Sequence, residues 1–165
     1  MNNIFNKIEY LELLKKQSIN EKLNSKDFGR LLDYGTVITN YLNWCIREHY
    51  LDLLENFQKE KLQTFDFCKH FEDSNEVMSD FVEVLESNLI ILSPTDKSLV
   101  FADLLQEIFY ETEAYLQAAD VDTLSGGATN YDFEQHEIML KELEVDLKKS
   151  VAETYLKIQN FLKEE

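Results

Sequence analysis

Four glycines and one proline in 165 residues leave too few reversals for a sandwich or barrel built from many short strands. Leu, Glu and Lys are abundant instead, and the apolar residues recur at intervals of three and four, the period of a helix. The expected fold class is all-α, an antiparallel helical bundle of about five to seven helices. With 44% hydrophobic residues, a chain of this length can bury enough apolar surface for one core and is too short for two ordinary domains.

Ile4, Ile8, Leu11 and Leu14 mark a first amphipathic helix from Asn3 to about Gln17, followed by a polar break over 18–24. Ser25 is placed to cap a second helix, which Gly35 ends or bends. The longest periodic stretch runs from Thr36 to about Leu62, with Val37, Tyr41, Trp44, Ile46, Tyr50, Leu53, Leu54 and Phe57 as a continuous stripe. As one helix it would be ~40 Å long. Thr64 is placed to cap a short helix carrying Phe67 and Phe71, and Ser74 a further one carrying Val77, Phe81, Val84 and Leu85.

Ser93-Pro94-Thr95-Asp96 reads as a helix start, with Ser93 at the N-cap, Pro94 at the first helical position and Asp96 as the reciprocal cap. Leu99, Phe101, Leu104, Leu105, Ile108, Phe109, Tyr115 and Leu116 carry that helix to about Ala118. A loop holding Gly126 and Gly127 follows from Ala119 to Asp132, and a last helix runs from about Asp132 to Lys163. Loops of that length are often functional.

The charge is unevenly spread. Residues 1–65 hold nine acidic and nine basic side chains, whereas 66–146 hold twenty Asp and Glu against Lys69, Lys97 and Lys141, a balance of -17. The remaining nineteen residues have four Lys and three Glu, so the net charge of -16 belongs to the middle of the chain. Such a surface opposes nucleic acid and anionic membranes and favours a basic partner.

Asp96, Asp103, Glu107 and Glu111 form an acidic ladder on the helix after Pro94, with no Lys or Arg at the i+4 positions to relieve it. Asp120, Asp122, Asp132, Glu134 and Glu137 continue it around the loop. A face kept acidic for solubility accounts for this pattern, and so does recognition of a basic surface. In the second case the candidate partner contacts are Asp103, Glu107, Glu111, Asp120 and Asp122, with Tyr110 and Tyr131 as interface aromatics and Tyr115 close by.

Chemistry-bearing patterns are sparse. His49, His70 and His136 fall on three different helices. Asp66 with His70 and Asp132 with His136 share helix faces, but there is no HExxH, paired Glu-x-x-His or EF-hand loop, and no metal or other cofactor is expected. Gly126-Gly127 lacks the Lys-Ser/Thr of a phosphate loop. Cys45 and Cys68 lie 23 residues apart without CxxC or a basic helper, so neither a disulfide framework nor a reactive thiol is expected. These readings point away from an enzyme. Glu9 and Glu12 precede any seven-residue apolar run, and Leu89 to Leu92 is too short to span a bilayer, so neither a secretion signal nor a membrane segment is expected.

The pattern Tyr50-Leu-Asp-Leu-Leu-Glu-Asn-Phe57, then Leu62-Gln-Thr-Phe-Asp-Phe67 with Phe71, then Ser87-Asn-Leu-Ile-Ile-Leu-Ser-Pro94, then Phe101-Ala-Asp-Leu-Leu105 through Tyr115, resembles the bacterial self-protective colicin-like immunity family. Asp120 to Leu147 resembles the acidic loop and charged helix of that family, and the resemblance covers about Tyr50 to Glu165. It implies a 50–165 immunity-like bundle with a 1–49 helical extension packed on it, which occludes the basic active site of a nuclease toxin, typically a tRNA-cleaving one.

The compartment implied is the bacterial cytoplasm. Abundant Asn, Ile, Lys, Phe and Tyr fit an AT-rich genome, and an organelle stroma follows if the gene is plastid-encoded. Two rivals stand beside this reading. One is a nucleic-acid mimic that inhibits a DNA-binding enzyme; the other is a structural subunit or adaptor docking through Tyr41, Trp44 and Tyr50 of the neutral segment.

Overall fold

The computed structural model describes residues 5–19, 22–74, 95–120 and 132–163. Among them the chain forms an all-α bundle of six helices: α1 (Lys7–Ser18), α2 (Ser25–Cys45), α3 (Arg47–Gln58), α4 (Thr64–Glu72), α5 (Asp96–Ala119) and α6 (Phe133–Lys163). No described residue lies in a strand. No helix among the described residues is long and apolar enough to cross a membrane.

Local chemistry explains where most helices begin. The Asn6 side chain accepts from the Glu9 N–H at 3.3 Å, and Asn24 accepts from the Asp27 N–H at 2.9 Å, so Ser25 is the first helical residue and not the cap. α5 starts two residues later than Ser93 would place it. Thr95 is its cap, and Thr95 and Ser98 exchange side-chain-to-backbone hydrogen bonds at 3.4 and 3.3 Å. At α4 the structure has Gln63, not Thr64, at the cap position. The expected cap Ser93 and first helical residue Pro94, and the helix expected after Ser74, lie outside the described residues, as does most of the 119–132 loop.

Gly35 does not end the second helix, which runs through it to Cys45. A helix-interior glycine costs about 1 kcal/mol relative to alanine, which the burial of Leu31, Tyr34 and Leu42 on either side outweighs. The expected single helix from Thr36 to Leu62 is instead broken at Ile46, whose φ of -98° and ψ of 19° leave the helical region. Arg47 turns back to donate to the Trp44 carbonyl at 3.1 Å and lies 4.6 Å from the Trp44 ring centre. The break lets Leu42 and Ile46 on one side, and Tyr50, Leu54 and Phe57 on the other, enter the same core.

α3 ends without a glycine. Glu60 adopts a φ of 55°, its N–H bonds to the Phe57 carbonyl at 3.0 Å, and the Lys61 N–H reaches the Asn56 carbonyl at 2.9 Å. This is a Schellman closure built on a residue that bears a Cβ.

α5 is the central helix and packs on α2, α4 and α6. Phe101, Leu105, Ile108 and Thr112 recur at steps of four, three and four and form its buried line, with the Thr112 hydroxyl donating to the Phe109 carbonyl at 3.0 Å. Aromatic rings join the helices. Phe57 stacks on Phe67 at 4.1 Å, Phe71 meets Phe109 at 4.8 Å, and Trp44 sets its edge against Phe101 at 5.7 Å.

Leu13, Leu31 and Tyr34 form a second, smaller core between α1 and the first half of α2, with Phe5, Tyr10, Leu14 and Leu23 around it. Tyr34 donates to Glu9 at 2.7 Å, and Arg30 pairs with the same carboxylate. Residues 38–46 belong to the main core, so the 1–49 segment is divided between two cores.

Candidate partner-binding surface

The helical wheel of α5 decides which acidic residues reach solvent. Each step of four advances 40°, so the ladder from Asp103 through Glu107 to Glu111 winds about 80° round the axis. Asp103 and Glu107 are exposed, while Glu111 has turned toward α6 and is half-buried. There Ser150 donates to its Oε1 at 2.6 Å, and Oε2 is buried with no hydrogen-bond partner.

Burial raises the Glu111 carboxyl above the usual carboxylate range, and the negative charges of Glu107, Asp146 and Glu153 push it in the same direction; the Ser150 hydrogen bond opposes them. The acidic field therefore spans both helices. Neither Asp103 nor Glu107 makes an ion pair with a described residue, whereas Glu9, Glu55, Glu72, Glu137 and Glu144 each pair with Arg or Lys.

Tyr110 is 64% exposed on the same face, and the Gln106 side-chain amide donates to its hydroxyl at 3.0 Å. Leu99 and Val100, 50% and 41% exposed, extend this face toward the start of α5. Sequence reading placed Leu99 on the packed stripe. It precedes Phe101 by two positions, a rotation of about 200° away from the buried line, and that count alone identifies it as exposed. Asp120 is exposed at the end of α5, where its N–H bonds to the Leu116 carbonyl at 3.2 Å. Asp122 and Tyr131 lie outside the described residues.

His136 ties the two ends of that loop together. Its buried ring donates from Nε2 to the Ala118 carbonyl at 2.5 Å, joining the start of α6 to the end of α5, while Asp132 Oδ1 accepts from the Gln135 N–H at 3.1 Å. With Ser150 opposite Glu111 and His136 opposite Ala118, the two helices run antiparallel.

His49 and the thiols are at least half-buried, whereas the His70 side chain is exposed. His49 Nε2 lies 3.1 Å from the hydroxyl of fully buried Ser74, which itself donates to the His70 carbonyl at 3.1 Å. Burial lowers the His49 pKa, Asp52 opposes that effect and His70 adds to it. Cys68 is fully buried and its pKa is pushed up to about 12 by burial, while Cys45 is half-buried. No group of three metal-ligating side chains occurs among the described residues.

Of the three aromatics in the adaptor reading, one is buried and two are half-buried. Tyr50 is completely buried and donates to Asn43 at 3.0 Å, and Tyr41 and Trp44 pack against the main core, because the stripe that carries them is the one α2 and α3 turn inward.

No family model matches the chain, and neither a curated protein nor a solved structure shows significant similarity to it.

Proposed function

We propose that the solvent face of α5 is the contact surface of an acidic, immunity-type inhibitor that occludes the basic active site of a nuclease toxin. The observation that carries this reading is the make-up of one helix face, on which Asp103 and Glu107, exposed and without ion pairs to described residues, stand beside exposed Tyr110 and the apolar Leu99 and Val100. Carboxylates that make no ion pair with described residues are available to a cationic partner, and an aromatic with aliphatic neighbours supplies the apolar part of an interface.

The mechanism is occlusion. A groove shaped for phosphates accepts carboxylates held at fixed spacing on a helix that α2, α4 and α6 brace from behind. Long-range attraction speeds encounter, and salt screens it. The resemblance over Tyr50 to Glu165 and the -17 balance of residues 66–146 support a basic nuclease as the target. Affinity capture from host extract at low salt, followed by a tRNA-cleavage assay of the captured protein, tests the reading. A captured basic nuclease whose cleavage stops at one equivalent of inhibitor is the expected result; capture of no nuclease, or of one that still cleaves when saturated, overturns it.

A further inference from the structure

α6 has a second apolar line, on the side away from the core. Leu147, Val151 and Ile158 are fully buried against α5 and α3, whereas Val145, about 200° round the helix from Leu147, is 65% exposed. Ile138 and Leu156 are 47% and 57% exposed, and Ala152 is also exposed. Ile138, Val145 and Ala152 are seven residues apart and Leu156 follows four later, the spacing of a two-helix seam. From Ile138 to Leu156 it runs for about 27 Å at 1.5 Å per residue.

The charge on this helix specifies what covers the seam. Residues 133–146 hold five carboxylates and one lysine, a balance of -4, and residues 147–163 hold four lysines and one glutamate, a balance of +3. A second copy laid antiparallel sets each acidic half against a basic half, while a parallel copy opposes like charges along the whole length. The two charged positions within the seam, Glu142 and Lys149, have opposite signs. A two-fold axis near Leu147 brings Ile138 opposite Leu156 of the second copy, and Glu142 within one turn of Lys149 of the second copy.

We propose that the outer face of α6 is a self-association surface on which a second copy of this chain docks antiparallel, with Ile138, Val145, Ala152 and Leu156 as its apolar seam. The proposal does not depend on the function assigned to the α5 face.

Sedimentation equilibrium at about 100 µM chain tests it, a concentration that populates even weak pairs. The chain is expected to sediment at twice its 19.5 kDa mass. Val145→Glu and Leu156→Glu, each at an exposed position, are expected to return it to the single-chain mass with unchanged helical circular dichroism; Phe65→Glu, at an exposed site on α4, leaves the dimer intact. Lys149→Glu combined with Lys157→Glu weakens an antiparallel dimer at least tenfold, whereas it would tighten a parallel one. A wild-type chain of single mass, a dimer that survives both seam variants, or a charge-reversed variant that associates more tightly overturns the proposal.

Discussion

Glu111 on α5 and Ser150 on α6 share a 2.6 Å hydrogen bond, yet the second carboxylate oxygen of Glu111 is buried with nothing to bond to. Burial and the neighbouring Glu107, Asp146 and Glu153 raise the folded-state pKa above that of the unfolded chain. The unfolded state therefore releases this proton first as pH rises, and the stability that the neutral carboxyl contributes is lost as pH passes through the folded pKa. Glu111→Gln removes the ionisation and keeps an acceptor for Ser150. It is expected to flatten the fall in stability as pH rises above the ordinary glutamate range, and to leave the variant more stable than the parent at neutral pH. Urea titrations of both proteins across that range check this, and a variant whose stability falls as steeply as the parent contradicts it.

The left-handed turn at Glu60 predicts a stabilising substitution. With φ at 55°, the side chain of an exposed glutamate costs energy that glycine does not incur. Glu60→Gly is expected to raise the stability by about 1 kcal/mol, and Glu60→Val to lower it. Thermal unfolding of the two variants decides the matter.

Two reciprocal hydrogen bonds fix the start of α5, so Thr95→Ala is expected to cost about 1 kcal/mol. The loss should appear as faster amide exchange in the first turn of α5, with α6 unaffected. Equal exchange in parent and variant would show that the cap contributes nothing.

Tyr50 donates to Asn43 inside the core, where both side chains are buried. Tyr50→Phe keeps the ring contacts to Phe71 and Phe101 and leaves the Asn43 oxygen unpaired, at a cost of about 1 to 3 kcal/mol. Chemical denaturation is the measurement. A cost near zero would mean that Asn43 finds another donor.

How legible these features were in the sequence depended on the physics behind them. The apolar period identified the helical class, the extent of α6 and the core roles of Phe67, Phe71, Phe101 and Leu105, because burial of a stripe is a one-dimensional signal. Boundaries set by single hydrogen bonds were less visible. Thr95 takes the cap that Ser93 was assigned, and both sequences satisfy the same pattern of small hydroxyl residues. The ends of α2 and α3 carry no glycine: an aliphatic residue, Ile46, closes one and a left-handed glutamate follows the other, so the expected punctuation was absent or, at Gly35, misleading.

The candidate site shows the same division. Exposed Asp103, Glu107 and Tyr110 follow from the wheel, while the turn of Glu111 toward Ser150 depends on a residue 39 positions away that no local pattern connects to it. The outer seam of α6 is hidden in the sequence because both sides of the helix carry aliphatic residues, and only the burial of Leu147, Val151 and Ile158 shows which side faces the core.

The central claim, that the α5 face recognises a basic partner by charge, is tested most directly by stopped-flow association of the captured nuclease with the parent protein and with Asp103→Lys combined with Glu107→Lys, over a range of salt. Both positions are exposed and make no ion pair to a described residue, and Glu107 only repels Glu111, so the unfolding temperature should not fall. The account predicts an association rate at least about tenfold lower for the variant at low salt, with the difference shrinking as salt rises. An unchanged rate, or a lowered unfolding temperature with normal association, would contradict it.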